Sequence, residues 1–183
     1  MKLRDAFCSY CGAAFPPPLR YPRACGECHT TIWANPIPVS VVLAPIVTEG
    51  RTGLLVVRRV GPPGDGKLAL VGGFLEEHES WAEGGAREVR EETGVVIDPR
   101  ALTPLTFASS APRPNRVLLF SVAAPLDAGG LGPYVPSAET SQRGLVFGPG
   151  GLAEVFAFPL HVEAASRFFA DRGLTGEHAF VPV

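Results

Sequence analysis

The chain has 183 residues, 46% of them hydrophobic, and a formal net charge of −2 at pH 7. That is enough apolar material for one ordinary domain with a small appendage. No apolar run reaches the ~18 residues a membrane span needs, and the near-neutral charge gives no general attraction for nucleic acid or an anionic membrane. The start, Met1 to Asp5, runs into Cys8 without an apolar signal segment, so the expectation is a cytoplasmic protein with no membrane partner.

The four cysteines all lie between Cys8 and Cys28. Cys8 and Cys11 form one C-x-x-C pair and Cys25 and Cys28 a second, the pattern of a four-thiolate zinc ribbon. Residues 1–35 are read as that ribbon, with Pro16, Pro17 and Pro18 as an extended arm between the knuckles. So small and polar a segment needs a metal in place of a core. A pair of disulfides is the alternative, and it lacks an export signal to support it. His29 is read as a bystander beside four thiolates. Residues 36–183 are the second domain, entered through Asn35, Pro36, Ile37 and Pro38.

The run Val39 to Val47 reads as a buried strand, Glu49 to Gly53 as a turn, and Leu54 to Arg59 as the returning strand. The loop from Gly61 to Lys67 satisfies G-x4-G-K, yet Leu68 stands where a phosphate-binding loop needs Ser or Thr. Pro62 and Pro63 also remove amides such a loop would use, so that reading is rejected. Lys67 to Val71 is a short strand leading into Gly72 and Gly73.

Ser80 to Thr93 reads as a helix. Ser80 is an N-cap with Glu83 three residues on, a capping box, and Gly94 is a suitable stop. Glu88, Glu91 and Glu92 fall at i, i+3 and i+4, so three carboxylates share one face. A solvated acidic face is the ordinary fate of such a run. The alternative is a hard divalent cation, which removes the mutual repulsion by taking oxygen ligands. Gly84 and Gly85 inside the helix cost about 1 kcal/mol each against alanine, which points to close packing on the sheet. Further strands are expected at Val95 to Ile97, Leu102 to Ala108, Arg116 to Ala124 and Glu139 to Phe147. A Pro/Gly loop spans 125–136, a helical turn begins at Leu152, and an amphipathic helix covers Leu160 to Asp171, its apolar residues Val162, Ala165, Phe168 and Phe169 facing the core. The tail from Arg172 carries no signal.

The stretch from Gly73 to Val95 matches G-x5-E-x7-R-E-U-x-E-E-x-G-U without a mismatch, through Gly73, Glu79, Arg87, Glu88, Val89, Glu91, Glu92, Gly94 and Val95. It resembles the signature of the Nudix hydrolases. The resemblance implies an α/β fold, an α/β/α sandwich with a mixed sheet, here preceded by the small N-terminal zinc ribbon. It implies hydrolysis of a nucleoside diphosphate linked to another moiety, dependent on Mg²⁺ or Mn²⁺. Glu88, Glu91 and Glu92 would hold that ion together with a carbonyl of Gly72 or Gly73. Arg87 would pair with Glu79 and brace the helix against its loop. A general base comes from the box or from a distant loop, where Glu139 is the best candidate. Glu76 and Glu77 are read as field-forming or solvated.

The whole chain, with Phe7 to Gly12, Cys25 to Cys28 and Trp33-x-Asn35-Pro36, is similar to the zinc-ribbon branch of that family. Two groups share the layout: NADH pyrophosphatases that also act on NAD-capped RNA, and enzymes acting on FAD and ADP-ribose. The first carries S-Q-P-W-P-F-P-x-S after the box, which Phe107 to Asn115 lacks. The expected substrate is therefore of the ADP-ribose or FAD type, giving AMP and a phosphorylated second moiety. Leu68, Val71 and His78 depart from the commoner box surroundings. Arg58, Phe107, Arg113 and Arg116 are the candidates for holding phosphate or stacking on a base. The alternatives are an NADH or NAD-cap pyrophosphatase, with Arg4, Arg20 and Arg23 of the ribbon near RNA, and a non-catalytic ligand sensor. The resemblance leaves a homodimer open.

Overall fold

The computed structural model describes residues 5–111 and 116–183. Contacts divide the chain into two compact units, Met1–Pro36 and Ile37–Val183. Arg4 and Arg113 lie outside the described residues.

The first unit is built from two similar knuckles. Cys8 N–H donates to Ala13 O and Gly12 N–H to Cys8 O; Cys25 N–H donates to Thr30 O and His29 N–H to Cys25 O. Strands β1 (Arg23–Ala24) and β2 (Thr31–Ile32) pair antiparallel around the second knuckle. Cys8 and Cys25 are the buried apolar residues of this unit among those described. Sulfur stands where a hydrophobic core would be.

The second unit is a mixed sheet with helices on both faces. Its strands are β3 (Ile37–Leu43), β4 (Pro45–Thr48), β5 (Arg51–Arg59), β6 (Leu68–Phe74), β7 (Thr103–Ser109), β8 (Arg116–Val122), β9 (Leu126–Asp127), β10 (Thr140–Val146) and β11 (Phe180–Pro182), in the order β11-β10-β5-β6-β3-β8-β7. β3 runs parallel to β8, and the other neighbours on this path are antiparallel. Leu54 to Val57 on β5 are buried on both faces, which is why that run is continuously apolar rather than alternating. Helix α1 (Trp81–Thr93) covers one face through Val89, which packs with Val42, Leu55, Val57 and Val71. The short α2 (Leu152–Val155) and α3 (Pro159–Ala170) cover the other, where Ala165, Phe168 and Phe169 meet Val41, Val56 and Leu70.

Several elements differ from the sequence reading. The run Val39 to Val47 is two strands, because at Ala44 and Pro45 the chain leaves β8 and pairs with β5 instead. Val95 to Ile97 is not a strand. Val95 and Ile97 are buried beside Val89 while Val96 is exposed, so the segment anchors in the core without reaching a sheet edge. The tail is not featureless, since β11 pairs with Gly144, Leu145 and Val146 of β10. The Pro/Gly loop contains β9 and one turn of 3-10 helix at Ala128–Gly130. No helix among the described residues is long and apolar enough to cross a membrane.

His161 on α3 shows how the sheet tolerates a split. β6 pairs with β5 through Leu68 to Leu70 and with β3 only from Val71 onward. Where β3 is absent, Ala157 N–H donates to Leu68 O, and Leu70 N–H donates to His161 Nδ1 at 3.2 Å. Burial among Phe120 and Phe158 lowers the imidazole pKa to about 3, so the ring is neutral and able to accept.

Candidate active site

Helix α1 starts at Ser80, whose side chain accepts from Glu83 N–H while Glu83 accepts from Ser80 N–H, and it ends on Gly94 in the left-handed conformation at φ 74°. The helix sits close to the sheet. A Cβ on Gly85 would lie 2.8 Å from Ser40 Oγ and 2.9 Å from Val42 Cγ2, and one on Gly84 would meet Leu75 and Glu79. The two glycines are thus required by packing, and the helix-propensity cost is the consequence.

That proximity brings the box carboxylates onto the glycine end of β6. A Cβ on Gly73 would collide with the Glu88 carboxylate. Glu92 is 8% exposed and accepts a 3.1 Å hydrogen bond from Gly72 N–H. Burial raises its pKa to about 8 against the pull of that hydrogen bond, with the charges of Glu88 and Glu139 adding to the rise. Burial also raises the pKa of Glu88, opposed by Arg87 and reinforced by Glu91 and Glu139. Glu91 is the exposed member of the three.

Arg87 is the hub beneath them. Its Nε and Nη2 make a two-pronged pair with Glu79 at 3.1 and 2.7 Å, Nη2 also donates to Phe74 O at 2.9 Å, and Nη1 reaches Glu88 at 2.8 Å and Glu91 at 3.2 Å. Glu79 in turn accepts from Glu76 N–H at 2.7 Å. One guanidinium therefore ties the entry loop, β6 and the helix together, and its bond to Glu79 holds that carboxyl below its ordinary range.

Among the described residues, the four cysteine sulfurs are the group of metal-capable atoms that all fall within 4.8 Å of one another. The box glutamates are instead drawn apart, Glu92 toward Gly72 and Glu88 and Glu91 toward Arg87. Their donor set is all oxygen, which suits a hard cation. In the ribbon, Cys8 and Cys28 sulfurs are 3.7 Å apart and those of Cys11 and Cys25 3.6 Å. A tetrahedron with zinc–sulfur bonds of ~2.3 Å has edges of ~3.8 Å, whereas a disulfide needs ~2.05 Å. All four are free thiols; hydrogen bonds from Thr30 lower the Cys28 pKa, while that of Cys11 is raised despite a backbone hydrogen bond from Ala13, so it is the tetrahedral sulfur spacing that suits zinc.

The remaining sequence candidates fall in different places. Glu139 precedes β10 and its charge is felt by both Glu88 and Glu92. Arg58 lies on the α3 face of β5, bonded to Gln142 at 2.7 Å and Gly66 O at 2.8 Å and stacked on Phe180. Its neighbour Arg59, not singled out in the sequence, continues the Leu55–Val57 face toward α1, and its charge lowers the Glu92 pKa. Period-two alternation along β5 was the signal that separates the two. Arg116 stands over Phe74 at 5.5 Å, with a buried Nε that has no hydrogen-bond partner. Phe107 is exposed and, with Trp81, Pro104, Leu105 and Leu119, lines a hollow of about 360 Å³.

With this geometry in place, the NUDIX domain model matches residues 37–143, more than half of the chain. The chain belongs to the Nudix family. An ADP-ribose pyrophosphatase of Methanocaldococcus jannaschii is 35% identical over 81 residues, covering 44% of this chain and 47% of that protein. An NAD-capped RNA hydrolase of Caenorhabditis elegans is 31% identical over 100 residues, 55% of this chain and 25% of that protein. The Nudix chain thus spans under half the length of either relative. Among solved structures, a NUDIX hydrolase from Nitrosomonas europaea superimposes with a TM-score of 0.63 at 24% identity, covering 94% of this chain and 96% of that one. The shared Nudix fold is a mixed sheet flanked by helices, as found here.

Proposed function

We propose that this Nudix chain is a divalent-cation-dependent pyrophosphatase that cuts a nucleoside diphosphate derivative of the ADP-ribose or FAD type into AMP and the phosphorylated second moiety. The observation that carries this reading is the packing of two carboxylates, a buried Glu92 and a half-buried Glu88, against Gly72 and Gly73, with Glu91 on the same helical face. Desolvated acids that repel one another are costly unless something positive compensates them. Arg87 supplies part of that charge to Glu88 and Glu91, and none of its bonds goes to Glu92.

Glu88, Glu91, Glu92 and the Gly73 carbonyl are the donors that would hold Mg²⁺ or Mn²⁺. When bound, such an ion neutralises diphosphate oxygens and lowers the pKa of an attacking water. Glu139, outside the helix, would take the proton of that water, a role supported by the action of its charge on Glu88 and Glu92. Arg59 and Arg116 would offset the diphosphate charge. The hollow beside Trp81 and Phe107 offers an aromatic surface for a base or the second moiety. Arg87 and Glu79 hold the helix and glycine loop in register, and Arg58 braces the Gly66 loop. The four cysteines would hold a structural zinc.

The likeness to the M. jannaschii protein and the absence of S-Q-P-W-P-F-P-x-S after the box favour ADP-ribose or FAD over NADH. The test is a panel of ADP-ribose, FAD, NADH, NAD, diadenosine polyphosphates and NAD-capped RNA with Mg²⁺, products resolved by chromatography and Glu92→Gln as the blank. AMP released fastest from ADP-ribose or FAD is expected. Faster release from NADH or capped RNA would move the substrate to the other branch. Tight ligand binding with no turnover at all would replace the enzyme with a sensor.

A further inference from the structure

The Pro/Gly loop that precedes β10 is fastened to the end of α1 through two side chains that the reading above does not use. The last four carbonyls of a helix have no partner within it. On α1, Arg90 O takes Gly94 N–H. Glu92 O takes the Thr140 hydroxyl at 3.3 Å, and Thr93 O takes Arg143 Nη1 at 2.7 Å. Both donors are buried, Thr140 at 1% and Arg143 at 3% exposure.

Each donor also holds the loop. Arg143 Nη2 donates to Gly132 O at 2.8 Å. Tyr134 OH stands 2.9 Å from both the Thr140 carbonyl and its Oγ1, and Ser137 Oγ is 3.1 Å from Thr140 Oγ1. Thr140 Oγ1 therefore accepts from the loop and donates to the helix, a chain in which each bond polarises the next. Glu139 is the adjacent residue. Its N–H donates to Ser137 Oγ at 3.1 Å, and its carbonyl accepts from Val60 N–H at 2.8 Å. Arg143 Nε also donates to Val183 O at 3.2 Å, so its guanidinium is spent on three backbone carbonyls, one of them at the negative end of α1.

We propose that Thr140, backed by Arg143, is a positioning residue that locks the Glu139 loop to the turn carrying Glu91 and Glu92, so that the proton acceptor and the carboxylate cluster keep one fixed separation. This rests on the hydrolase reading above. A loop that carries a catalytic group must be held to within a fraction of an ångström for the reacting geometry to persist. The hydroxyl of Thr140 supplies that restraint, and it touches neither the substrate hollow nor the carboxylate oxygens.

The experiment measures kcat, KM and the urea midpoint for wild type, Thr140→Val, Thr140→Ser, Tyr134→Phe, Glu139→Gln and the double variant Thr140→Val/Glu139→Gln, on the best substrate of the panel with Mg²⁺. Thr140→Val is expected to lose about 10- to 100-fold in kcat with KM unchanged, the scale typical of groups that orient a ligand. Thr140→Ser should keep most of the rate, and Tyr134→Phe, which leaves the Thr140 hydroxyl, should fall between. In the Glu139→Gln background, Thr140→Val should cost nothing further. Additive losses, a kcat that tracks the urea midpoint across the set, or full activity of Thr140→Val would overturn the positioning role while leaving the hydrolase reading intact. Should Thr140→Val fail to fold, Tyr134→Phe decides by the same comparison in the Glu139→Gln background. A wild type without turnover on any substrate would overturn both.

Discussion

At the scale of single residues, the site is a contest between desolvation and charge. Glu92 is held where its ionised form is disfavoured, with a pKa of about 8. The sign of its effect on stability follows. The folded state binds a proton more tightly than the unfolded chain, so the contribution is complete below about pH 4.5 and is lost as pH rises through 8. Metal-free protein should therefore lose urea resistance between pH 6 and 8, and saturating Mg²⁺ should restore it through binding to the folded state. Glu92→Gln should flatten that decline and cost roughly 100-fold in turnover, as loss of a metal ligand or its neighbours commonly does. A Glu92→Gln protein with wild-type turnover would remove Glu92 from the ligand set. His161 acts on the other side of neutrality. Its pKa of about 3 lies below the ordinary 6.5, so stability is full above pH 6.5 and falls as the pH drops toward 3. In Glu92→Gln protein, where the opposing titration of Glu92 is removed, urea midpoints that stay level between pH 6.5 and 5 would show that the ring is not held neutral.

At the scale of elements, helix α1 shows local preference yielding to packing. Alanine at position 85 would improve helix propensity by about 1 kcal/mol. The Cβ, however, would press on Ser40 Oγ and Val42 Cγ2 of β3 at under 3 Å, and overpacking costs typically 1–3 kcal/mol. Gly85→Ala should therefore lower the urea midpoint, and a gain would mean that the helix can lift from the sheet without cost. A lifted helix would also carry Glu88 away from Gly73, so activity should fall with stability. The same reasoning explains why the capping box, the stop at Gly94 and the three-glutamate face were readable from the sequence, since each depends on residues within one or two turns. The strand break at Ala44 and the β11 pairing were not, because both are decided by which distant strand is alongside.

At the scale of the whole molecule, the two units are held by different means. Ile37–Val183 has two packed cores, one on each face of its sheet. Met1–Pro36 has a pair of buried cysteines and two short hydrogen-bonded knuckles. Metal affinity in such a ribbon is folding energy, on the order of 10 kcal/mol for zinc-finger peptides. One zinc per chain should be measured by elemental analysis. Strong chelation or Cys11→Ser should expose the amides of Thr30 and His29 to hydrogen exchange while those of Val56 and Leu70 stay protected. Protection of the ribbon amides after complete zinc removal would show that the polypeptide alone is sufficient.

The linear order of residues determined the family box, the helix with its caps, the cysteine pairs and the candidate ligands Glu88, Glu91 and Glu92, because each is a pattern of fixed short offsets. Tertiary structure alone decided that His161 serves a backbone amide where the sheet splits, and that Thr140 and Arg143 close the end of α1. These contacts join residues some fifty or more positions apart, and no local periodicity marks them. They exist because burial leaves polar groups without water, and each such group must find a partner wherever the fold brings one within reach.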